Sequence, residues 1–227
     1  MRVPQRRSDW LLGRWTAKSA VAARLGVPVD AKSLSALEIR AASSGQPEAY
    51  LEAAPLAVSI SISHRAGVAL CTVGPGRAEV GCDLEQVEER SDAFVADYFT
   101  VEEQAQVARA PASERPLLIN LFWSAKESAL KALHEGLRLD TRSVNVEVVL
   151  IEASRDETSW QPLRVRLRDG GEFCGRWRQE GSTLRTIVAR ASSLEVFPIN
   201  LASAGANCHT EFQRYFESAS EAVAVFP

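Results

Sequence analysis

Two carboxylates stand two positions apart in a segment that has the alternation of a strand. They are Asp83 and Glu85, within residues 78–85. Because successive side chains of a strand point to opposite faces, both carboxylates point the same way. Carboxylates this close repel each other, and a hard divalent cation with oxygen ligands is the common remedy. The spacing therefore indicates a candidate site for such a cation.

A third carboxylate and an ammonium group follow downstream. Glu127 and Lys131 are i and i+4 within residues 123–131, so on a helix they project from one face, one turn apart. They are thus available to the same site as Asp83 and Glu85. Taken singly, both pairs keep a simpler interpretation, because an i,i+4 ion pair is ordinarily solvent-exposed and carboxylates at a strand end ordinarily reach water.

The elements that would position these groups are predicted by hydrophobic periodicity and turn signals. Helices are predicted at residues 8–25, 94–107 and 116–133. Ser8 or Asp9 is the expected N-cap of the first helix, and Thr100 is an expected cap in the second. Strands are predicted at residues 58–64, 68–73, 78–85, 144–151, 163–167, 171–177 and 184–189.

Composition narrows the class of protein. At 227 residues and 46% apolar content, the chain can bury the core of one domain or of two small halves. The formal net charge of −3 gives no overall basic character, so we do not expect nucleic acid as a partner. The four cysteines form no Cys-x-x-Cys pair, which favours a reducing, cytoplasmic location. No apolar stretch has the length of a membrane span, so we expect no membrane partner.

Five segments, in this order, resemble the long, two-lobed 4′-phosphopantetheinyl transferases, the surfactin-synthetase-activating type. They are Arg6-Arg7-Ser8-Asp9-Trp10-Leu11-Leu12-Gly13-Arg14, Ser44-Gly45-Gln46-Pro47, Ser61-Ile62-Ser63-His64, Gly81-Cys82-Asp83-Leu84-Glu85 and Trp123-Ser124-Ala125-Lys126-Glu127-Ser128-Ala129-Leu130-Lys131. The resemblance implies an α+β fold of two similar lobes related by a pseudo-twofold axis, each a helix on a small, mainly antiparallel sheet. The active site would lie between the lobes, and the protein would be a monomer. The expected domains are an N-terminal lobe at 1–98, a C-terminal lobe at 99–193 and an appended tail at 194–227.

The same resemblance implies an activity. Such enzymes move the 4′-phosphopantetheine arm of coenzyme A to a serine of an acyl or peptidyl carrier protein, with Mg²⁺, and release adenosine 3′,5′-bisphosphate. This is the chemistry of a holo-[acyl-carrier-protein] synthase, and it serves fatty-acid, polyketide or nonribosomal peptide synthesis. The expected partners are therefore coenzyme A and a carrier protein, and Mg²⁺ is the expected cofactor.

The resemblance also assigns roles to residues. Asp83, Glu85 and Glu127 would hold Mg²⁺, and Asp83 is counted with the catalytic residues. Glu127 would also act as the base, and Lys131 would neutralise the diphosphate. Separately from the resemblance, Trp123, Phe122 and Leu130 are assigned to the core. The residues expected to bind coenzyme A are Arg6, Arg14, Ser44, Gly45, Gln46, Pro47, Ser63, His64 and Lys131. Of these, Ser63 and His64 would contact its 3′-phosphate.

Two other classes of function remain open from the sequence. A metal-dependent nuclease or phosphohydrolase would also use carboxylates around Mg²⁺ together with a lysine, but it would normally show a broader basic surface. A module that binds coenzyme A or a carrier protein without catalysis is the second alternative.

Overall fold

In the computed structural model, residues 4–148, 159–190, 195–198 and 222–226 are described. The chain is α+β, as predicted, and it divides into two compact units. Unit 1 comprises Met1–Val80 with Ser193–Pro227, and unit 2 comprises Gly81–Ser192. The boundary falls after Val80, the first residue of the strand that bears Asp83, and the domains at 1–98, 99–193 and 194–227 stay a prediction.

The helices mostly follow the periodicity of the sequence. They are α1 Pro4–Arg24, α2 Ala31–Ala36, α3 Asp92–Tyr98, α4 Val101–Arg109 and α5 Arg115–Ala132, with 3-10 turns at Gly136–Arg138 and Thr141–Ser143. The helix α1 begins before the predicted caps Ser8 and Asp9, which lie inside it. The single helical segment predicted at 94–107 is two helices, because Thr100 caps the second of them with a capping box to Glu103.

The strands are β1 Leu37–Ala41, β2 Pro47–Leu51, β3 Ala54–Pro55, β4 Val58–Arg65, β5 Val68–Pro75, β6 Val80–Gln86, β7 Val144–Val148, β8 Gln161–Leu167, β9 Glu172–Glu180, β10 Thr183–Ala189, β11 Glu195–Pro198 and β12 Ala222–Phe226. Within the described residues they form three sheets, in the orders β1-β2-β3, β6-β10-β9-β8-β7 and β11-β12-β5-β4. The predicted strand at 144–151 is confirmed as far as residue 148, and its last positions lie outside the described residues.

In unit 1, α1 packs on β5 and β4 through small residues at helical spacing. Ala17, Ala20 and Val21 are fully buried there, and the short side chains let the helix approach the sheet closely. The strand β12 pairs in antiparallel register with the edge of β5 that lies opposite β4. The segment predicted as an appended tail therefore contributes a strand to the sheet of unit 1.

In unit 2, α5 packs against β10 and its buried residues form the centre of the core. The strand β6 lies so close to α5 that residue 81 must be glycine. A Cβ at Gly81 would stand 1.8 Å from the backbone oxygen of Ser128 and 2.9 Å from the backbone nitrogen of Ala132. Because both obstacles are backbone atoms of a helix, neither can move aside cheaply. This contact brings the carboxylates of β6 to the helix that bears Glu127.

In the part of the chain that the structure describes, no helix is both long and apolar enough to cross a membrane.

We predict that Gly81→Ala destabilises unit 2 by about 3 kcal/mol, because the added methyl group overlaps the helix backbone. The matched control is Gly13→Ala in α1, where the new Cβ would meet only side-chain atoms, at 3.3 and 3.4 Å. Alanine favours a helix interior by about 1 kcal/mol over glycine, so the control should be neutral or slightly stabilising. Urea unfolding of the three proteins measures both effects. Equal stability of Gly81→Ala and the wild type would contradict the close approach.

Candidate active site

The two carboxylates of β6 are buried rather than exposed at a strand end. Asp83 is 5% exposed and Glu85 is 7% exposed. Both face α5, which supplies a donor to each of them. Burial of two ionised groups is costly unless each is paired or hydrogen-bonded. The simpler interpretation of these residues as a solvated strand end is therefore excluded.

Asp83 is held through both of its oxygens. The ammonium group of Lys131 donates to Oδ1 at 2.7 Å, and the hydroxyl of Ser124 donates to Oδ2 at 3.0 Å. Lys131 also donates to the carbonyl of Cys82 at 3.1 Å. Burial lowers the pKa of Lys131, but the charge of Asp83, the neighbouring Cys82, the hydrogen bond to Asp83 and the charge of Glu127 together raise that pKa above its ordinary value. Lys131 is therefore a fixed positive charge.

Glu85 is held in the same way by two other donors. The indole nitrogen of Trp123 donates to Oε1 at 3.1 Å, and the guanidinium of Arg90 donates to Oε2 at 3.4 Å. Arg90 is itself fixed by the side chain of Asn120, at 3.1 Å from Nε to Oδ1. The assignment of Trp123 to the core was incomplete: its ring packs against that of Phe94, but its polar end faces the site.

Of the three carboxylates, Glu127 is held by the fewest hydrogen-bond donors within the described residues. It is half-buried, and its Oε1 has no hydrogen-bond partner among the described residues. Burial raises the pKa of Glu127, the ammonium group of Lys131 lowers it, and the charges of Asp83 and Glu85 raise it further, so that it lies above the ordinary value. A carboxylate with a raised pKa and a vacant acceptor atom is suited to accept a proton.

The three carboxylates suit a hard cation by their chemistry. They offer oxygen ligands, which Mg²⁺ prefers, and the buried Oε1 of Glu127 lacks a partner within the described residues. The oxygens of Asp83 and Glu85 are engaged by the donors named above. As they stand, no three His, Cys, Asp or Glu side chains of the described residues are spaced to hold a metal ion. Mg²⁺ binding by this set stays a prediction.

A buried ion pair fixes the middle of α5. Lys126 and Glu103 are both fully buried, and their charged groups are 2.9 Å apart. Lys126 also donates to the carbonyls of Thr141 at 2.8 Å and Val144 at 2.5 Å. Burial lowers the pKa of Lys126 and raises that of Glu103, so each group relies on the other to remain charged. Lys126 lies between Phe122 and Leu130 at i±4, a signal of burial that the sequence contained.

The other predicted binding residues lie in unit 1. Arg14 and Arg6 are both on α1, and the side chain of Arg6 lies outside the described residues. Ser63 and His64 are at the end of β4. A Cβ at Gly13 would meet the ring of His64 at 3.4 Å, so His64 lies beside α1 next to the position of Arg14. The guanidinium of Arg14 is held 3.9 Å above the ring of Trp10.

The segment Ser44-Gly45-Gln46-Pro47 is the turn between β1 and β2. The amide of Gly45 donates to the carbonyl of Ala42 at 2.9 Å, and the amide of Ala42 donates to the carbonyl of Gln46 at 2.8 Å. Gly45 has φ +89°, which glycine adopts without strain. The turn is therefore well defined, and its role in binding coenzyme A stays a prediction.

Residues 79–190 match the family model of the 4′-phosphopantetheinyl transferase superfamily. The matched range contains Asp83, Glu85, Glu127 and Lys131, and it nearly coincides with unit 2. This range, close to half of the chain, is therefore similar to the 4′-phosphopantetheinyl transferase superfamily. The long, two-lobed subtype, with its pseudo-twofold axis, stays a prediction.

Two proteins named enterobactin synthase component D are similar to this chain. The one from Salmonella austin is 26% identical over 129 residues, which are 57% of this chain and 54% of that protein. The one from Salmonella typhi is 27% identical over 139 residues, which are 61% and 57% of the two chains. The chain thus spans a little over half the length of the curated relatives that it matches.

We predict that Lys126→Met destabilises unit 2 by about 3–5 kcal/mol, because it leaves the carboxylate of Glu103 buried without a counter-charge. Without Lys126, the folded carboxyl binds its proton more tightly than the unfolded one, so its pKa is raised in the folded state. The stability deficit should then shrink as the pH is lowered through that raised pKa. Adding Glu103→Gln should recover part of the loss at neutral pH. Urea unfolding across pH measures this, and a deficit independent of pH would contradict the assigned charges.

Proposed function

We propose that the chain transfers the 4′-phosphopantetheine group of coenzyme A to a serine of a carrier protein, in a reaction that depends on Mg²⁺ and releases adenosine 3′,5′-bisphosphate. The observation that carries the proposal is the family match, whose range contains three buried or half-buried carboxylates and a lysine around one strand and one helix. The Lys131 ammonium is 2.7 Å from Asp83 in that cluster.

The reaction requires a base for the serine proton, charge neutralisation on the phosphate oxygens and stabilisation of the leaving phosphate. The serine oxygen forms a bond to the phosphorus that bears the pantetheine, the bond from that phosphorus to the bridging oxygen breaks, and the serine proton goes to a base. Negative charge develops on the phosphate oxygens and on the leaving group, which needs fixed positive charge close by. When bound by Asp83, Glu85 and Glu127, Mg²⁺ would supply charge neutralisation of the diphosphate.

The residues of unit 2 answer the remaining demands. Glu127 is the base of the proposal, since its raised pKa and unpartnered Oε1 favour acceptance of a proton. Lys131 donates to Asp83 and to the Cys82 carbonyl, and within the described residues its third N–H is left to serve a phosphate oxygen. Its position next to the carboxylates keeps it charged. Asp83 thereby orients the ammonium group of Lys131, which is proposed to contact the phosphate.

The residues of unit 1 are proposed to bind coenzyme A. Arg6 and Arg14 carry positive charge on α1, and His64 lies beside α1 near Arg14. Ser63 and the turn Ser44-Gly45-Gln46-Pro47 complete the proposed set. The name of the two relatives makes the enterobactin synthase assembly the first place to look for a carrier protein.

The test is intact-protein mass spectrometry of apo carrier proteins incubated with the chain, coenzyme A and Mg²⁺. A gain of about 340 Da, one phosphopantetheine, that is lost on chelation supports metal-assisted transfer. No gain on any carrier, with coenzyme A still bound, would contradict the proposal and favour the non-catalytic module. Hydrolysis of the diphosphate without transfer would favour a phosphohydrolase.

We predict that Glu127→Ala lowers kcat by about 10²–10⁴-fold, because the base is removed. Asp83→Ala should abolish transfer, and Lys131→Ala should lower kcat by about 10²–10³-fold through the loss of a fixed charge. The matched control is Glu102→Ala, which removes an exposed carboxylate of α4. Circular dichroism checks that each variant is folded, and near-normal transfer by folded Glu127→Ala or Asp83→Ala would remove that residue from the site.

We predict that His64→Ala weakens coenzyme A binding and leaves kcat at saturating coenzyme A little changed, because the residue is proposed to contact the 3′-phosphate rather than the reacting phosphorus. Calorimetric titration with coenzyme A measures the dissociation constant. Lys32→Ala on α2 removes an exposed cation of the same unit and should leave binding unchanged. An unaltered dissociation constant for His64→Ala would show that the histidine is only structural.

A further inference from the structure

Three buried hydroxyl groups form a continuous chain of hydrogen bonds that ends on Asp83. The hydroxyl oxygens of Ser128 and Thr186 are 2.8 Å apart, and those of Thr186 and Ser124 are also 2.8 Å apart. Ser124 then donates to Oδ2 of Asp83 at 3.0 Å. All three hydroxyl residues are fully buried. We call this set, Ser128, Thr186 and Ser124, the hydroxyl chain.

The direction of the hydroxyl chain follows from counting protons. Asp83 is a carboxylate paired with the ammonium of Lys131, and a carboxylate only accepts hydrogen bonds. Ser124 must therefore donate its proton to Oδ2. Ser124 can then only accept from Thr186, which in turn can only accept from Ser128. Each donor therefore points toward Asp83. Hydrogen bonds aligned in this way polarise one another, which strengthens the last bond in the series.

The hydroxyl chain also connects elements that are far apart in sequence. Ser124 and Ser128 lie one turn apart on α5, whereas Thr186 lies on β10, and Asp83 lies on β6. The single proton of Ser128 is shared between the hydroxyl of Thr186 at 2.8 Å and the backbone oxygen of Thr186 at 3.3 Å. The side chain of Thr186 thus links the two serines of α5. Through Ser124 it also influences the orientation of the Asp83 carboxylate.

We propose that Thr186 is a positioning residue for the metal site, acting through Ser124 to hold the Asp83 carboxylate in the orientation that binds the cation. The proposal rests on the proposed function, because it presumes that Asp83 is a metal ligand. Without the Thr186 hydroxyl, Ser124 loses the donor that orients it and becomes able to donate to the helix carbonyl four residues before it. Asp83 Oδ2 then loses the hydrogen bond from Ser124, while Lys131 still holds Oδ1.

The experiment uses the full chain and Mn²⁺ as the probe, titrated by calorimetry in the absence of coenzyme A. Thr186→Val keeps the shape of the side chain and removes the hydroxyl, and it should weaken Mn²⁺ binding about tenfold, the lower end of the effect of outer residues on metal affinity. Thr186→Ser keeps the hydroxyl and should restore wild-type affinity. Ser128→Ala, which is favourable in a helix, should give a smaller loss in the same direction.

The control is Thr72→Val in unit 1. Thr72 is also fully buried in a strand, but its hydroxyl has no partner among the described residues, so the same chemical change should leave Mn²⁺ affinity unaltered. In the transfer assay, Thr186→Val should raise the Mg²⁺ concentration for half-maximal rate and leave the KM for coenzyme A unchanged. A general loss of packing would not separate these two constants.

The outcomes distinguish this proposal from the proposed function. Wild-type Mn²⁺ affinity in folded Thr186→Val, or equal loss in Thr186→Val and Thr186→Ser, would overturn the role of Thr186 and leave the transferase proposal standing. Absence of Mn²⁺ binding by the wild type would overturn the metal site itself, and the role of Thr186 with it. Loss of affinity in Thr186→Val with recovery in Thr186→Ser supports the role.

Discussion

The contact between β6 and α5 at Gly81 is the constraint on which the candidate site depends. With no Cβ at this position, the strand approaches the helix backbone to a distance that any other residue would forbid. Asp83 follows Gly81 by two positions and therefore faces the same helix, where Ser124 and Lys131 donate to it. A strand displaced outward by the width of a methyl group would leave a buried carboxylate with longer and weaker bonds.

Burial of the carboxylates gives the site its electrostatic character. Each oxygen of Asp83 and Glu85 has a named donor, whereas Oε1 of Glu127 has none among the described residues. The charges of Asp83 and Glu85 contribute to the raised pKa of Glu127, and Asp83 keeps the pKa of Lys131 high. An acceptor of protons and a permanent cation thus result from one cluster of like and unlike charges.

The helix that carries these groups is held from its buried side by different means. The Glu103 and Lys126 pair fixes α5 to α4 and to the residues that lead into β7, while hydroxyl groups fix it to β10. The exposed charges of unit 2, such as Arg142 with Asp140, are worth little by comparison because water screens them. Rigid support of this kind is what a site needs if its ligands are to stay in place.

The sequence alone determined the local features of this protein. Periodicities of 2 and 3.6 residues placed Asp83 with Glu85 and Glu127 with Lys131, and Thr100 was identified as a helix cap, because these relations involve only residues close along the chain. The donors to the carboxylates were a matter of tertiary structure. Trp123 bonds Glu85 across 38 positions, and Thr186 bonds Ser124 across 62.

The pairing of β12 with β5 was equally beyond the sequence, and so was the division of the chain before residue 81. Such contacts are decided by which surfaces bury one another and by the register of strands that are distant in sequence. No short pattern of residue types encodes that outcome, because many partners satisfy the same local pattern and only the packed core selects one.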